Sequence, residues 1–146
     1  MTVPRSHRFT CRVPLFEVDM GQAVYHGNYF HFFEAARAAL LQEAGCGYPD
    51  LVADQFHLAV VEAHCRYRRP VGYNDEILIL TRITRFKSRS LTFQQQLFQT
   101  ATGELATDLT LTTICINFSG KPTPLPETLR RSLNAWISAP ELTATP

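Results

Sequence analysis

The sequence predicts an α+β domain in which about five antiparallel strands wrap round one long apolar helix, with a short helix near the C-terminal end. Three observations lead there. One long run of helical period lies between Tyr29 and Ala44; the other long apolar runs have the two-residue period of strands; and the later strand runs follow one another through short turn signals, without further long helices between them. A sheet and a helix that each have one apolar side can bury it only against each other, so the helix must lie across the sheet.

The first strand places Phe9, Cys11, Val13 and Leu15 on one side and Thr10 and Arg12 on the other. Pro14 marks an edge or a bulge, because proline has no N–H to give to a ladder. In the helix, Tyr29, Phe32, Phe33, Ala36, Leu40 and Ala44 recur at helical spacing, with Glu34, Arg37, Ala38 and Gln42 on or near the opposite side. Asn28 reads as its N-cap and Gly45 as its stop, and Ala35, Ala36, Ala38 and Ala39 allow a sheet to approach closely. Cys46 to Gln55 reads as a loop.

Next, Ala59, Val61, Ala63, Cys65 and Tyr67 alternate with Val60, Glu62, His64, Arg66 and Arg68, an apolar face backing a charged one. Glu76 to Phe86 is apolar on both faces, as a central strand would be. Leu91 to Phe98 and Glu104 to Phe118 complete four strands in antiparallel meander style, with turn signals at 72–75, 87–90 and 102–103. Pro126 opens a short helix with Leu129, Leu133, Trp136 and Ile137 on one side, and Ala139 to Pro146 reads as a frayed tail. One domain is expected over residues 1–146, with its core at about 8–137.

Composition narrows the function classes. The 146 residues are 45% hydrophobic and carry 14 Lys and Arg against 13 Asp and Glu, a formal charge of +1, so the footprint of a nucleic-acid binder is missing. No apolar stretch is long enough to cross a bilayer, which argues against integral membrane association, and Met1 to Arg12 lacks a signal-peptide run, so the expected compartment is cytoplasmic. Cys11, Cys46, Cys65 and Cys115 lie far apart and read as reduced, half-buried thiols.

The least ordinary segment is Glu17 to Phe30, which brings Asp19, Gly21, Gly27, His26 and Asn28 into the loop before the long helix. A helix start offers unpaired N–H groups and partial positive charge, which polarise a carbonyl or hold an oxyanion. A carboxylate beside it attacks that carbonyl or activates a water. The plainer reading is that Asp19 satisfies a turn while His26 and Asn28 cap the helix, and spacing alone leaves both open.

Asp19, followed six residues later by Tyr25-His26-Gly27-Asn28-Tyr29-Phe30 and then by Phe33-Glu34-Ala35-Ala36-Arg37, resembles the signature of hotdog-fold acyl-CoA thioesterases of the 4-hydroxybenzoyl-CoA thioesterase type, including the Tol-Pal-associated branch. The segments 67–76, Arg89-Ser90-Leu91, Gly120-Lys121-Pro122 and Leu125-Pro126 resemble later parts of that family, so the likeness runs from about Arg8 to Leu133. The resemblance implies a hotdog fold and hydrolysis of an acyl or aroyl thioester. It implies Asp19 as nucleophile or general base and the backbone N–H of His26 as the polarising donor, within a motif that includes Tyr25 and Asn28. Lys87, Arg89 and Ser90 match the positions that meet CoA phosphates, with Arg68 supplementing them. No metal or other cofactor is implied. The partners implied are acyl-CoA, with acyl carrier protein as the other possible donor, and a second copy of the chain. In such a homodimer or homotetramer, sheets pair edge to edge and each site draws on two chains. Many relatives carry Gly three residues after the Asp, whereas this chain has Gln22 there and Gly21 one step earlier.

Other readings are a hydratase pairing the Asp19 and His26 side chains, and a non-catalytic subunit that binds acyl-CoA or an acyl carrier. Arg82, Arg85, Lys87 and Arg89 beside Phe86 also suit an RNA strip, although CoA phosphates ask for the same charge. Glu34 is a second candidate acid, with an i,i+3 pair to Arg37 as its plainer use. His26 and His31 do not share a helical face for a metal, and Cys11, Cys65 and Cys115 read as core or inter-sheet residues.

Overall fold

The computed structural model describes residues 5–137, so the expected C-terminal tail lies outside the described residues. The elements are β1 (His7–Arg12), α1 (Tyr29–Glu43), α2 (Tyr48–Ala53), β2 (Phe56–Tyr67), β3 (Glu76–Phe86), β4 (Ser90–Gln99), β5 (Glu104–Asn117) and α3 (Glu127–Leu133), with single 3-10 turns at Leu15–Glu17, His26–Asn28 and Asn134–Trp136. This is the five-stranded antiparallel sheet, long helix and short C-terminal helix that the sequence predicts.

Helix α1 presents Tyr29, Phe32, Phe33, Ala36 and Leu40 to the sheet. They meet Ile77, Ile79 and Ile83 of β3, Leu91, Phe93 and Leu97 of β4, and Leu109, Leu111 and Cys115 of β5, all fully or nearly fully buried. Alternation along the central strands produces this inner face. One residue at its centre is polar. The Gln95 side chain is fully buried yet satisfied, donating to the Phe33 carbonyl (2.9 Å) and the Thr81 hydroxyl (3.0 Å) and accepting from Arg37 Nη1 (2.9 Å).

The strand order is β1-β3-β4-β5-β2, so the meander covers only β3 to β5. β2 crosses over to pair with β5 and becomes an edge, where the sequence suggested a run of four successive neighbours. Its alternation is broken as well. Val60 faces Thr113 and Glu62 faces Thr112, leaving Val61 as a bulge, so Ala59 and Val61 do not continue the face of Ala63, Cys65 and Tyr67. Matching irregularities at Thr84 in β3 and Ala106 in β5 bend the sheet further round the helix. The Ala106 carbonyl accepts the N–H groups of both Arg68 (2.8 Å) and Arg69 (3.0 Å), which fixes where β2 ends.

Three local expectations are corrected. Strand β1 stops at Arg12, and after Pro14 the chain makes the 3-10 turn Leu15–Glu17, leaving Leu15 exposed rather than on the inner face. The supposed loop 46–55 contains α2, since Pro49 sits in its first turn and the Asp50 carboxylate accepts the Gly47 N–H (3.1 Å). Glu34 makes no ion pair with Arg37, whose guanidinium turns inward to the Gln95 amide.

Candidate active site

The segment between β1 and α1 is tied down at several points. An isolated antiparallel bridge joins Val18 to Val24 and closes a small loop, inside which Asp19 N–H donates to the Ala23 carbonyl (3.0 Å) and Gln22 N–H to the Asp19 carbonyl (3.0 Å). The Asp19 carboxylate accepts the Gly21 N–H (2.8 Å) and is exposed, so one oxygen holds the turn while the group remains open to solvent. The turn requires a positive φ at Gln22 (64°), the position where the family resemblance led one to expect glycine. The loop then packs on the segment before β3. Val24 N–H donates to the Val71 carbonyl (2.9 Å), and a Cβ at Gly72 would lie 3.0 Å from the Gln22 carbonyl, so Gly72 supplies a close approach that the sequence did not single out.

Helix α1 is entered through the 3-10 turn His26–Asn28. Asn28 therefore already has helical dihedrals and is not the N-cap; its Nδ2 donates instead to the Glu17 carbonyl (3.1 Å). The Tyr25 N–H is also committed to that carbonyl (3.0 Å). His26 and Gly27 open the turn, so their N–H groups have no acceptor within it. These are the donors left at the helix start.

Residues that sequence reasoning missed hold this turn. The Tyr67 hydroxyl, from the end of β2, donates to the His26 carbonyl (2.7 Å), and its ring stands edge-on to Tyr29 (5.3 Å) and His26 (6.3 Å). Burial, with the neighbouring Cys65, pushes the Tyr67 phenol up to about 12, so it stays a neutral donor at neutral pH. Burial likewise raises the Tyr29 phenol, with the Asp19 carboxylate a minor contributor in the same direction. Glu17 is buried and its carboxylate meets His31 Nδ1 (3.0 Å). The only signals for these contacts were an aromatic at a strand end and an acid in a glycine-containing loop; their partners lie 41 and 14 residues away.

Beside the helix start is an open cavity of about 280 Å³, walled by His26, Tyr29, Tyr67, Arg68 and Pro70 together with Ala23 and Val24. Arg68 is not a free cation there, because its Nε bonds Asp108 (2.6 Å); Arg69 pairs with Glu104 (3.3 Å). Lys87 and Arg89 lie exposed in the tight turn between β3 and β4, with Ser90 opening β4. That turn is at the far end of β3 from Gly72 and Asp75, roughly 30 Å along the strand. One protomer thus collects Asp19, Tyr25, His26, Asn28 and Arg68 at one end and Lys87, Arg89 and Ser90 at the other. Burial raises the thiol of each of the four cysteines, Cys46 to about 11, which leaves little thiolate for nucleophilic work at neutral pH. Among the described residues no three His, Cys, Asp or Glu side chains gather in a manner that could hold a metal, and no helix is long and apolar enough to cross a membrane.

A sheet wrapped round a helix whose entry turn is reached through a bridged loop bearing a carboxylate is the arrangement of a hotdog-fold thioester hydrolase. The chain belongs to the thioesterase-like superfamily, whose family model matches residues 13–133. It is 28% identical over 123 residues to the acyl-CoA thioester hydrolase YbgC of Escherichia coli, covering 84% of this chain and 91% of that one. The fold is shared with a 1,4-dihydroxy-2-naphthoyl-CoA thioesterase from Synechocystis (TM-score 0.82, 18% identity, 89% of this chain and 96% of the other). It is also shared with a Staphylococcus aureus protein solved in complex with CoA (TM-score 0.85, 16% identity, 100% and 96%).

Proposed function

We propose that this protein hydrolyses acyl-CoA thioesters, with Asp19 as the reacting carboxylate and the His26–Gly27 turn as the donor to the thioester carbonyl. The observation that carries the reading is the Asp19 turn, held by the Gly21 N–H, the Val24–Val71 bond and the close approach of Gly72, in the loop that leads straight into the His26–Gly27 turn, whose N–H groups have no acceptor within that turn. The carbonyl oxygen lies against those N–H groups and gains negative charge as the carbon is attacked, by the Asp19 carboxylate or by a water whose proton Asp19 takes. The C–S bond then breaks. CoA leaves as a thiolate, a good leaving group because a free thiol has a pKa near about 8.5, and takes up a proton. With the carboxylate as nucleophile, water cleaves the resulting anhydride to restore Asp19 and release the acid.

The separation of Lys87 and Arg89 from Asp19 supports a site completed by a second copy. An edge-to-edge homodimer, alone or within a homotetramer, brings one protomer's basic turn to its partner's helix start. β2 suits that pairing: it is 12 residues long, has no strand on its outer side among the described residues, and exposes the bulged Val61. Acyl carrier protein would present the same phosphopantetheine arm, and a CoA substrate agrees with the cytoplasmic placement expected from the sequence.

Replacing both Lys87 and Arg89 by Ala should raise KM for acyl-CoA about tenfold or more, with kcat little changed, because the lost contacts act on phosphates that do not react. Thiol release from the matching acyl-pantetheine, which lacks the nucleotide phosphates, should be unaffected. Equal losses on both substrates would overturn the phosphate assignment.

A further inference from the structure

A second and larger cavity, about 420 Å³, opens between the outer side of α1, α2 and the first half of β2. Leu41, Leu58, Val60 and Phe93 give it apolar walls, and Glu34 and Arg37 line it from the helix. Arg37 is eleven residues beyond His26, about 16 Å farther along the helix axis at the usual rise. The cavity is therefore set back from the helix start along the same helix and the same edge strand.

Its chemistry is unusual. Arg37 is partly buried, and burial lowers its pKa, with Glu34 the opposing influence. The guanidinium spends Nη1 on Gln95 (2.9 Å) and forms no ion pair with any described carboxylate. A guanidinium has five N–H donors in a planar fork, and the bond to Gln95 is the one hydrogen bond Arg37 makes among the described residues, beside cavity walls that Leu41, Leu58, Val60 and Phe93 make largely apolar. Such donors are costly to leave unsatisfied away from water, and a ligand oxygen placed on them relieves that cost. A purely hydrocarbon ligand displaces whatever water serves them and returns nothing.

We propose that this cavity receives the far end of the acyl group and that Arg37 selects acyl groups ending in an oxygen acceptor, a hydroxyl or a carboxylate, over hydrocarbon chains of equal length. The proposal rests on the reading of Asp19 and the helix start given above, which fixes where the thioester lies. Glu34 is exposed at the rim and repels a carboxylate more than a hydroxyl, so the two acceptors separate in experiment.

The test uses the full-length protein and non-hydrolysable thioether analogues of acyl-CoA in matched sets of medium chain length: unsubstituted, ω-hydroxy and ω-carboxy. Calorimetric binding should favour at least one oxygen-terminated analogue over its unsubstituted partner by about tenfold or more. Arg37→Met should erase that preference, and Arg37→Lys should retain part of it. If Arg37→Met fails to fold for want of its bond to Gln95, the wild-type comparison and Arg37→Lys still decide. Equal or tighter binding of the unsubstituted analogue, or no binding of any of them, would overturn the proposal. Turnover of the corresponding thioesters separates the two ideas. Hydrolysis without preference sinks the Arg37 assignment alone, whereas preferential binding with no hydrolysis sinks the thioesterase mechanism alone.

Discussion

Asp19→Asn is expected to lower kcat for thioester hydrolysis by about two to four orders of magnitude, the range for loss of a positioned acid–base or nucleophilic group, with KM nearly unchanged. The substitution isolates chemistry from structure. The Oδ1 of asparagine still accepts the Gly21 N–H that the Asp19 carboxylate accepts at 2.8 Å, and the neighbouring bonds from Asp19 N–H to Ala23 and from Gln22 N–H to the Asp19 carbonyl are backbone bonds. The thermal midpoint should therefore move little, as for surface substitutions that keep their contacts. A variant that kept its melting transition and lost less than tenfold in kcat would transfer the reacting role elsewhere, with Glu34 of α1 and the buried Glu17 as the acids to test next.

Phe33→Ala is the stability counterpart. Phe33 is fully buried on the face of α1 that meets β3, β4 and β5, and its own carbonyl accepts the amide of the fully buried Gln95. Removing the ring takes away apolar burial and leaves a cavity under the helix, at a cost of about 3–5 kcal/mol. That is a large fraction of the roughly 5–15 kcal/mol by which domains of this kind are stable. Urea unfolding should show a much lower midpoint with an unchanged slope. A cost below about 1 kcal/mol would mean that α1 is not the element around which the sheet is built.

These two residues also show what was legible in the sequence. Phe33 belongs to a repeat of Tyr29, Phe32, Ala36 and Leu40 whose period is a local property of the chain, so the helix and its buried face followed from spacing. The central strands β3, β4 and β5 followed for the same reason. The position of β2 did not, because whether a strand pairs with β3 or crosses to β5 is decided by nonlocal packing, and the Val61 bulge exists only relative to its partner strand. Arg37 illustrates a competition between local and tertiary terms. Spacing favoured Glu34, but a surface ion pair contributes little, whereas an unbonded Gln95 amide in the core is expensive.

The site divides in the same way. Asp19 and the His26 turn were visible as a dense motif, and its glycine departure was visible at Gln22, whose positive φ shows that the turn is made without glycine there. The aromatic brace from Tyr67 to the His26 carbonyl was not visible, since 41 residues and a strand crossing separate them. Nor could linear order reveal that Lys87 and Arg89 stand at the opposite end of β3 from the carboxylate loop.

That separation makes the central claim testable by complementation. An Asp19→Asn protomer keeps the basic turn, and a Lys87→Ala, Arg89→Ala protomer keeps the carboxylate; in a mixed dimer with sites shared across the edge, one site regains both. Thiol release at low acyl-CoA concentration, measured after verified subunit exchange, should exceed the sum of the two variants assayed alone. Activity that stays at that sum would contradict a site in which Asp19 of one chain works with the phosphate-binding turn of the other.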